Sequence, residues 1–230
     1  GVDVLCLDVA HGHHSTTKIA LEKICGLYKG HVHIMAGNVA TLEGFNALAD
    51  WGADSVRVGI GGGSICSTRI QTGHGVPTLQ SVMNCSRTDR NAMLIADGGI
   101  KTSGDVVKAL AAGADFVMLG SMLAGTTESP GEFISQSNGR GVKVYRGMAS
   151  EEAQKDWRGK ANSLEGISTT IPYKGKVKNI LYRLDKGIRS GFSYSGSRNL
   201  CELQAKSKFI RQSSSSKKES GTHILSQYDT

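Results

Sequence analysis

Short, unbroken apolar runs alternate with segments whose apolar residues recur three and four positions apart, and the alternation persists from Val2 to Leu119. The runs at 2–7, 32–36, 55–58, 93–96 and 116–119 predict strands, and their continuous apolar character predicts strands covered on both faces. Between them, Ala20, Ile24 and Leu27, then Phe45, Leu48 and Ala49, then Val106, Ala109 and Leu110 each mark one face of a helix. Strand and helix in strict alternation imply a parallel sheet. Three echoes, Gly1-Val2-Asp3-Val4, Gly52-Ala53-Asp54-Ser55-Val56 and Gly113-Ala114-Asp115-Phe116-Val117, open three of these runs and suggest repeated βα units.

Nearly all the unusual chemistry follows a predicted strand. It sits in Asp8-Val9-Ala10-His11-Gly12-His13-His14, in Gly37-Asn38, at 59–69, in Asp97-Gly98-Gly99 and in Gly120-Ser121. Both a (βα)8 barrel and an open doubly wound sheet build their sites from such loops, so the pattern locates the site before it settles the architecture. After Glu132 the rhythm stops, and 139–168 is polar, glycine-rich and without clear period, as in a lid or binding loop. A helix is expected on Val177, Ile180, Leu181, Leu184 and Ile188, flexible cationic turns at Arg189-Ser190-Gly191 and Gly196-Ser197-Arg198, and a short helix at 200–205. The Ser/Lys-rich tail beyond is expected to be disordered.

Composition narrows the class. The chain of 230 residues is 39% hydrophobic and 20% charged, which is ordinary for a globular protein with one substantial core. It has no run of about 18 apolar residues to span a bilayer, and its first residues resemble no signal peptide. The first residue is not Met, so the chain reads as part of a longer one. The net charge of +7 comes from scattered basic residues with 6% aromatics, which fits small phosphorylated ligands better than nucleic acid. Five scattered cysteines suggest neither a disulfide framework nor zinc, and point to a reducing cytoplasm. The His11, His13, His14 cluster lacks a carboxylate or third ligand at sensible spacing and reads as a solvated loop.

The sharpest candidate is Cys66. Gly59-Ile60-Gly61-Gly62-Gly63-Ser64-Ile65-Cys66-Ser67-Thr68-Arg69 sets a thiol behind glycines that bare backbone N–H and C=O groups, with a cation just beyond. Bare N–H groups and a nearby cation favour the thiolate. Cys6, Cys25, Cys85 and Cys201 lie in apolar or helical patterns and read as inert buried thiols. Asp97 could hold a ribose diol, and Gly120-Ser121 could offer N–H groups to a phosphate at a strand end.

Taken together these segments resemble the catalytic domain of the IMP dehydrogenase and GMP reductase family. The resemblance rests on Leu7-Asp8-Val9-Ala10-His11-Gly12-His13, Ala36-Gly37-Asn38-Val39-Ala40-Thr41, 58–69, Ile95-Ala96-Asp97-Gly98-Gly99-Ile100, 117–124, Tyr145-Arg146-Gly147-Met148 and Pro172-Tyr173-Lys174-Gly175. Gly62 and Ser67 stand where many members carry Pro and Thr. The fold implied is α/β, a (βα)8 TIM barrel present here as its last five units and lacking about three upstream. It forms one catalytic domain over 1–230, with barrel units at 1–138, an active-site flap at 139–176, closing helices at 177–212 and a tail at 213–230, and no CBS module.

The resemblance also implies roles. Cys66 attacks purine C2 to give a thioimidate, Thr68 assists proton transfer, and Glu165 faces the purine N1 edge and acts in protonation. Ser64, Asp97, Gly99, Gly120, Ser121, Tyr145, Gly147, Met148 and Gly166 hold the nucleotide, GMP or IMP. Asp8, Asn38, Arg57 and Gly59 line the side of the nicotinamide cofactor, NADPH or NAD. Carbonyls of Gly61, Gly63 and Cys66, with Glu219, Ser220 and Gly221 of a neighbouring subunit's tail, bind potassium in a homotetramer.

The two branches of the family differ in direction. The dehydrogenase hydrolyses the thioimidate with an Arg-Tyr pair on a long flap, and here the span from Tyr145 to Glu165 is short, with Asp156-Trp157-Arg158-Gly159 instead. That favours the reductase. Lys218-Glu219-Ser220-Gly221-Thr222-His223, Ser190-Gly191-Phe192-Ser193-Tyr194 and the chance that Arg158 replaces the flap arginine keep the dehydrogenase open. A third alternative is a non-catalytic nucleotide-binding subunit, since five strands cannot close a barrel.

Overall fold

The computed structural model describes residues 1–137, 139–161 and 166–221. Its first part alternates β1 (Val4–Asp8), α1 (Ser15–Tyr28), β2 (His33–Val39), α2 (Leu42–Asp50), β3 (Ser55–Val58), α3 (Thr68–Thr72), α4 (Thr78–Cys85), β4 (Met93–Asp97), α5 (Ser103–Ala111) and β5 (Phe116–Met118). The second part holds β6 (Phe133–Ser135), β7 (Gly141–Arg146), α6 (Glu151–Arg158), β8 (Ser168–Pro172), α7 (Val177–Tyr194), α8 (Leu200–Lys206) and α9 (Ser214–Glu219).

Strands β1 to β5 form one sheet in the order β1-β2-β3-β4-β5, every pair parallel. An open doubly wound sheet reverses its order at a switch point, whereas strands laid down consecutively are the arc of a barrel. The loop pattern left that choice open and the family resemblance implied a barrel; the strand order agrees with an incomplete barrel. One face carries Ile34, Ala36, Val56, Val58, Leu94 and Ala96, packed with Leu21, Phe45, Leu48, Val82, Val106 and Ala109 from the helices. Phe45, Leu21 and Leu48 have no solvent exposure, and burying such a side chain stabilises by about 1.5–3 kcal/mol. The other face, with period two, presents Val4, Met93 and Phe116, all exposed where a closed barrel would have its interior.

Two of the three echoed motifs prove to be clasps between strands. Asp54 Oδ2 accepts from the N–H of Ile34 at 2.8 Å, and Asp115 Oδ2 accepts from that of Leu94 at 2.7 Å. Each aspartate thus ties the start of its strand to the neighbouring strand. Caps fix the helix entries: Thr41 accepts from Gly44 N, Thr102 and Asp105 form a reciprocal capping box, and His14 accepts from Thr16 N.

Several expectations change. The stretch 139–168 is no plain loop, because β7 and α6 lie inside it and β8 begins at its end, making an antiparallel sheet β6-β7-β8. Arg189-Ser190-Gly191 is not a turn but part of α7. A side chain at Gly191 would strike Val107 of α5, so this glycine serves close helix packing. Part of the tail folds as α9, capped by Ser213. Cys85 is buried as expected, whereas Cys6 and Cys201 are exposed.

Candidate active site

The chemistry-bearing residues collect at the carboxyl ends of β1 to β5. The glycine loop leaves β3 at Gly59, where φ is +146° and a side chain would collide with the carbonyl of Asp97. Glycine there lets the loop lie against the end of β4. Arg69 braces the loop from the far side, its Nη2 donating to the carbonyls of Ile60 at 3.3 Å and Val76 at 2.6 Å. The expected cation beyond Cys66 is therefore spent on loop backbone.

Cys66 is half-buried, its N–H donates to Gly63 O at 3.2 Å, and its thiol lies 3.2 Å from Thr68 Oγ1 as donor. The antiparallel sheet reaches this loop directly. Ile167 N donates to Ile65 O at 3.2 Å, Gly147 N donates to Ile167 O at 3.1 Å, and Cys66 pairs with Gly166 as an antiparallel bridge. Gly166 also bridges Ser150, and a Cβ on it would stand 2.7 Å from Ser150 N. Close backbone approach here requires glycine. Gly147, whose added Cβ would meet Ile65 and Gly166, is likewise drawn to the Cys66 loop.

Beside the loop, Asp97 Oδ2 accepts three bonds: from Arg57 Nη2 and Asn38 Nδ2 at 2.8 Å each, and from Arg57 Nε at 3.2 Å. Asn38 Nδ2 also donates to Gly59 O at 2.8 Å, and Arg57 Nη1 pairs with Asp8 Oδ1 at 2.8 Å. Burial alone would lower the Arg57 pKa, but the Asp97 and Asp8 carboxylates outweigh it and hold the guanidinium charge firmly.

A cleft of about 730 Å³ is lined by Ser64, Ser121 and Tyr145, with Ile65 and Lys174 among its other walls. A Cβ on Gly120 would come to 3.6 Å from the Tyr145 hydroxyl, so those two also meet. Gly99 lines a separate, smaller cleft of about 330 Å³ with Gly62 and Thr78. Met148 is 76% exposed and stands away from these walls. Gly61 and Gly63 lie in the Cys66 loop, while Glu219, Ser220 and Gly221 end α9, with hydrogen bonds back to Ser216 and Lys218. Glu165 lies outside the described residues.

Sequence reasoning quoted Lys174 within a motif without giving it a task. Its Nζ donates to Ser121 O at 2.6 Å and approaches Met122 O at 3.4 Å, beside the candidate phosphate loop, and burial pulls its pKa down. The signal was a cation following a strand that returns to the site. Among the described residues no group of three His, Cys, Asp or Glu side chains could hold a metal ion, and no helix is long and apolar enough to cross a membrane.

A thiol beside a hydroxyl on a glycine loop, a half-buried carboxylate at the end of the next strand and an adjoining cleft mark the class as an α/β-barrel protein with its candidate chemistry at the strand ends. The particular family follows from comparison: the chain belongs to the IMP dehydrogenase / GMP reductase domain family, whose model it matches over residues 1–223. It is 49% identical to an inosine-5'-monophosphate dehydrogenase of Aquifex aeolicus, over 97% of this chain and 47% of that one. It is 43% identical to a GMP reductase of Leishmania major, over 98% and 48%. Among solved structures it resembles a cysteine-to-alanine variant of GMP reductase from Trypanosoma brucei in complex with guanosine 5'-monophosphate, with a TM-score of 0.92 and 42% identity, covering 97% of this chain and 48% of that one. An inosine 5' monophosphate dehydrogenase from Legionella pneumophila gives a TM-score of 0.81 at 48% identity, covering 94% and 67%. The chain spans about half the length of the curated relatives it matches.

Proposed function

We propose that this chain carries the nucleophile half of a purine nucleotide oxidoreductase acting at C2 of the base, and that its reaction is that of a GMP reductase. The observation that carries the reading is Cys66, 3.2 Å from the Thr68 hydroxyl in a glycine loop that abuts both Asp97 and the flap. Ser64, Gly120, Ser121 and Tyr145 would hold the phosphate, with Gly147 and Gly166 near the remainder of GMP, while Gly99 and Met148, which lie off that cleft, are contacts implied by the family resemblance alone. Asp97 would take the ribose diol.

The Cys66 sulfur would bond to C2, and the 2-amino group would leave as ammonia after taking a proton through Thr68 and Glu165. That leaves C2 bonded to sulfur as a thioimidate. A nicotinamide cofactor, NADPH in this direction, supplies the hydride that C2 needs; the Cys66 sulfur then departs and IMP is released. Asp8, a mostly exposed carboxylate at the rim of β1, together with Asn38, Arg57 and Gly59, offers a donor and acceptor set suited to such a cofactor.

The short flap supports this direction. Asp156 is paired with Arg146 and the guanidinium of Arg158 lies 4.2 Å over the Trp157 ring, so neither stands as a water-activating pair. Carbonyls of Gly61, Gly63 and Cys66, with Glu219, Ser220 and Gly221 from a second subunit of a homotetramer, would suit potassium, a cation that favours rings of backbone oxygens.

The test uses the full-length protein. Incubation with GMP and NADPH is expected to release ammonia and consume reduced cofactor, and Cys66→Ala is expected to cut turnover by at least about 10³-fold, as loss of a nucleophile does. Reduced cofactor appearing with IMP and NAD would transfer the assignment to the dehydrogenase. Activity surviving Cys66→Ala would sink the mechanism in either direction.

A further inference from the structure

On the concave face of the sheet, one arginine spans from β1 to β4. Asp8, Gly37 and Arg57 share a row across β1, β2 and β3, and Asp97 lies one step further along β4 on the same face. Gly37 leaves the lane open, since a Cβ there would come to 2.6 Å from the Cβ of Arg57. Through that gap Arg57 Nη1 reaches Asp8 Oδ1 at 2.8 Å while Nε and Nη2 fork onto Asp97 Oδ2. Asn38 Nδ2 closes the set at 2.8 Å. All three bonds fall on the same Asp97 oxygen, and Oδ1 takes none among the described residues.

We propose that Arg57 is a positioning residue for the nucleotide: with Asn38 it locks the Asp97 carboxylate so that Oδ1 faces the ribose diol, and through Asp8 it links that diol site to the cofactor side. This rests on the proposed function, and it moves Arg57 from a direct cofactor contact to a part that fixes another residue. A carboxylate pinned through one oxygen has lost its freedom to rotate, so its second oxygen meets a diol already oriented. Asp97 is 18% and Arg57 13% exposed in their side chains, whereas Asp8 is 59% exposed. The nucleotide end of the link is thus the shielded, geometrically strict one.

The experiment measures binding of GMP and 2'-deoxy-GMP to the full-length protein by calorimetry, without cofactor, for the wild type, Arg57→Gln and Arg57→Lys. The wild type is expected to prefer the ribonucleotide by at least about tenfold, because losing the hydroxyl leaves a shielded acceptor without its partner. Arg57→Gln is expected to bring that ratio close to one, and Arg57→Lys, which keeps the charge but not the fork, to leave it between. If Arg57→Gln does not fold, Arg57→Lys carries the test alone, and its ratio must fall. A general loss of stability would weaken both nucleotides equally and leave the ratio unchanged, which overturns the proposal. So does an effect confined to the cofactor KM. A wild type that prefers GMP with an unaltered ratio in the variants defeats only this inference, whereas a wild type that binds neither nucleotide defeats the proposed function with it.

Discussion

The five-stranded parallel sheet and the three-stranded antiparallel one are held by different forces. Around β1 to β5 the interior is a continuous apolar cluster in which Phe45, Leu48, Val56, Val58 and Val82 have no solvent exposure. In the antiparallel sheet the best buried side chain of β7 is a lysine. Lys143 Nζ donates to the carbonyls of Thr126, at 3.1 Å, and Ser129, while Phe133, Ile134 and Ile167 are exposed. One region is fixed by apolar area; the other by a few polar staples and by its seam with the Cys66 loop. A site set across that seam has a stiff half, carrying Cys66, Asp97 and Arg57, and a weakly held half carrying Tyr145, Gly147 and Gly166. This is the division that the proposed chemistry asks for, a fixed thiol under a cover that admits substrate.

The largest stability effect should separate the two regions by one ring. Phe45→Ala leaves a cavity in the apolar cluster and is expected to cost about 3–5 kcal/mol, measured by denaturant unfolding of the full-length protein. Phe133→Ala removes a ring that is 54% exposed and meets Tyr173 edge-on at 5.3 Å, so about 0.5–1.5 kcal/mol is expected. Equal costs would break the contrast.

Lys143→Met comes next, because it removes the polar staple while keeping length and apolar stem. Two carbonyls would lose their donor, and a loss of about 1–3 kcal/mol is expected. The loss should appear as faster amide exchange in β6 to β8, with β2 to β4 unchanged. Faster exchange throughout would mean that the two sheets unfold as one unit.

The contrast also explains what the sequence revealed. Barrel strands read as continuous apolar runs even though one face of this sheet is open, with Val4, Met93 and Phe116 exposed, and all five parallel strands were legible within a residue or two at most ends. Both β7 and α6 were missed for one reason. Lys143 points inward where pattern reasoning sends a charge outward, and α6 buries Ala153 and Gln154 instead of an apolar stripe. Its legible signals were its ends and its pairs: Ser150 caps it, Glu151 and Lys155 form an i,i+4 ion pair, and Gly159 follows in the left-handed region. Cys66 and the strand-end motifs were visible in sequence because glycine spacing is local. The Arg57 fork onto Asp97 was not, since it joins residues far apart in the chain through strand register.

Acid should act first on the parallel half. Burial by itself would raise the Asp54 pKa, but the hydrogen bond from Lys29, the N–H of Ile34 and the attraction of Lys29 and His33 outweigh it, so the value is lowered. Asp105 is lowered too, with burial opposed by Lys108, the N–H of Lys101 and the Thr102 hydroxyl. A carboxylate with a depressed folded pKa contributes stability that is fully present above the ordinary Asp range, about 4, and is lost as pH falls through the folded value. Unfolding free energy followed from neutral pH downward should therefore begin to fall near pH ~4, and Asp54→Asn should flatten that fall while lowering the neutral plateau. An unaltered slope would show that other carboxylates carry the acid response.

The smallest effect probes the seam between α6 and β7. Asp156 of α6 pairs with Arg146 at the end of β7, and both side chains are well exposed at 65% and 40%. Exposed pairs of this kind contribute about 0.2–1 kcal/mol, and salt screens them. Asp156→Asn should thus leave global stability nearly unchanged at high ionic strength, while at low salt it loosens α6 in amide exchange. The same substitution frees Arg146, which stands directly before Gly147 at the nucleophile loop. If the helix serves to keep that arginine away from the base, Asp156→Asn should alter the nucleotide KM more than the unfolding free energy. A change in stability alone would reduce α6 to a simple cover for the flap.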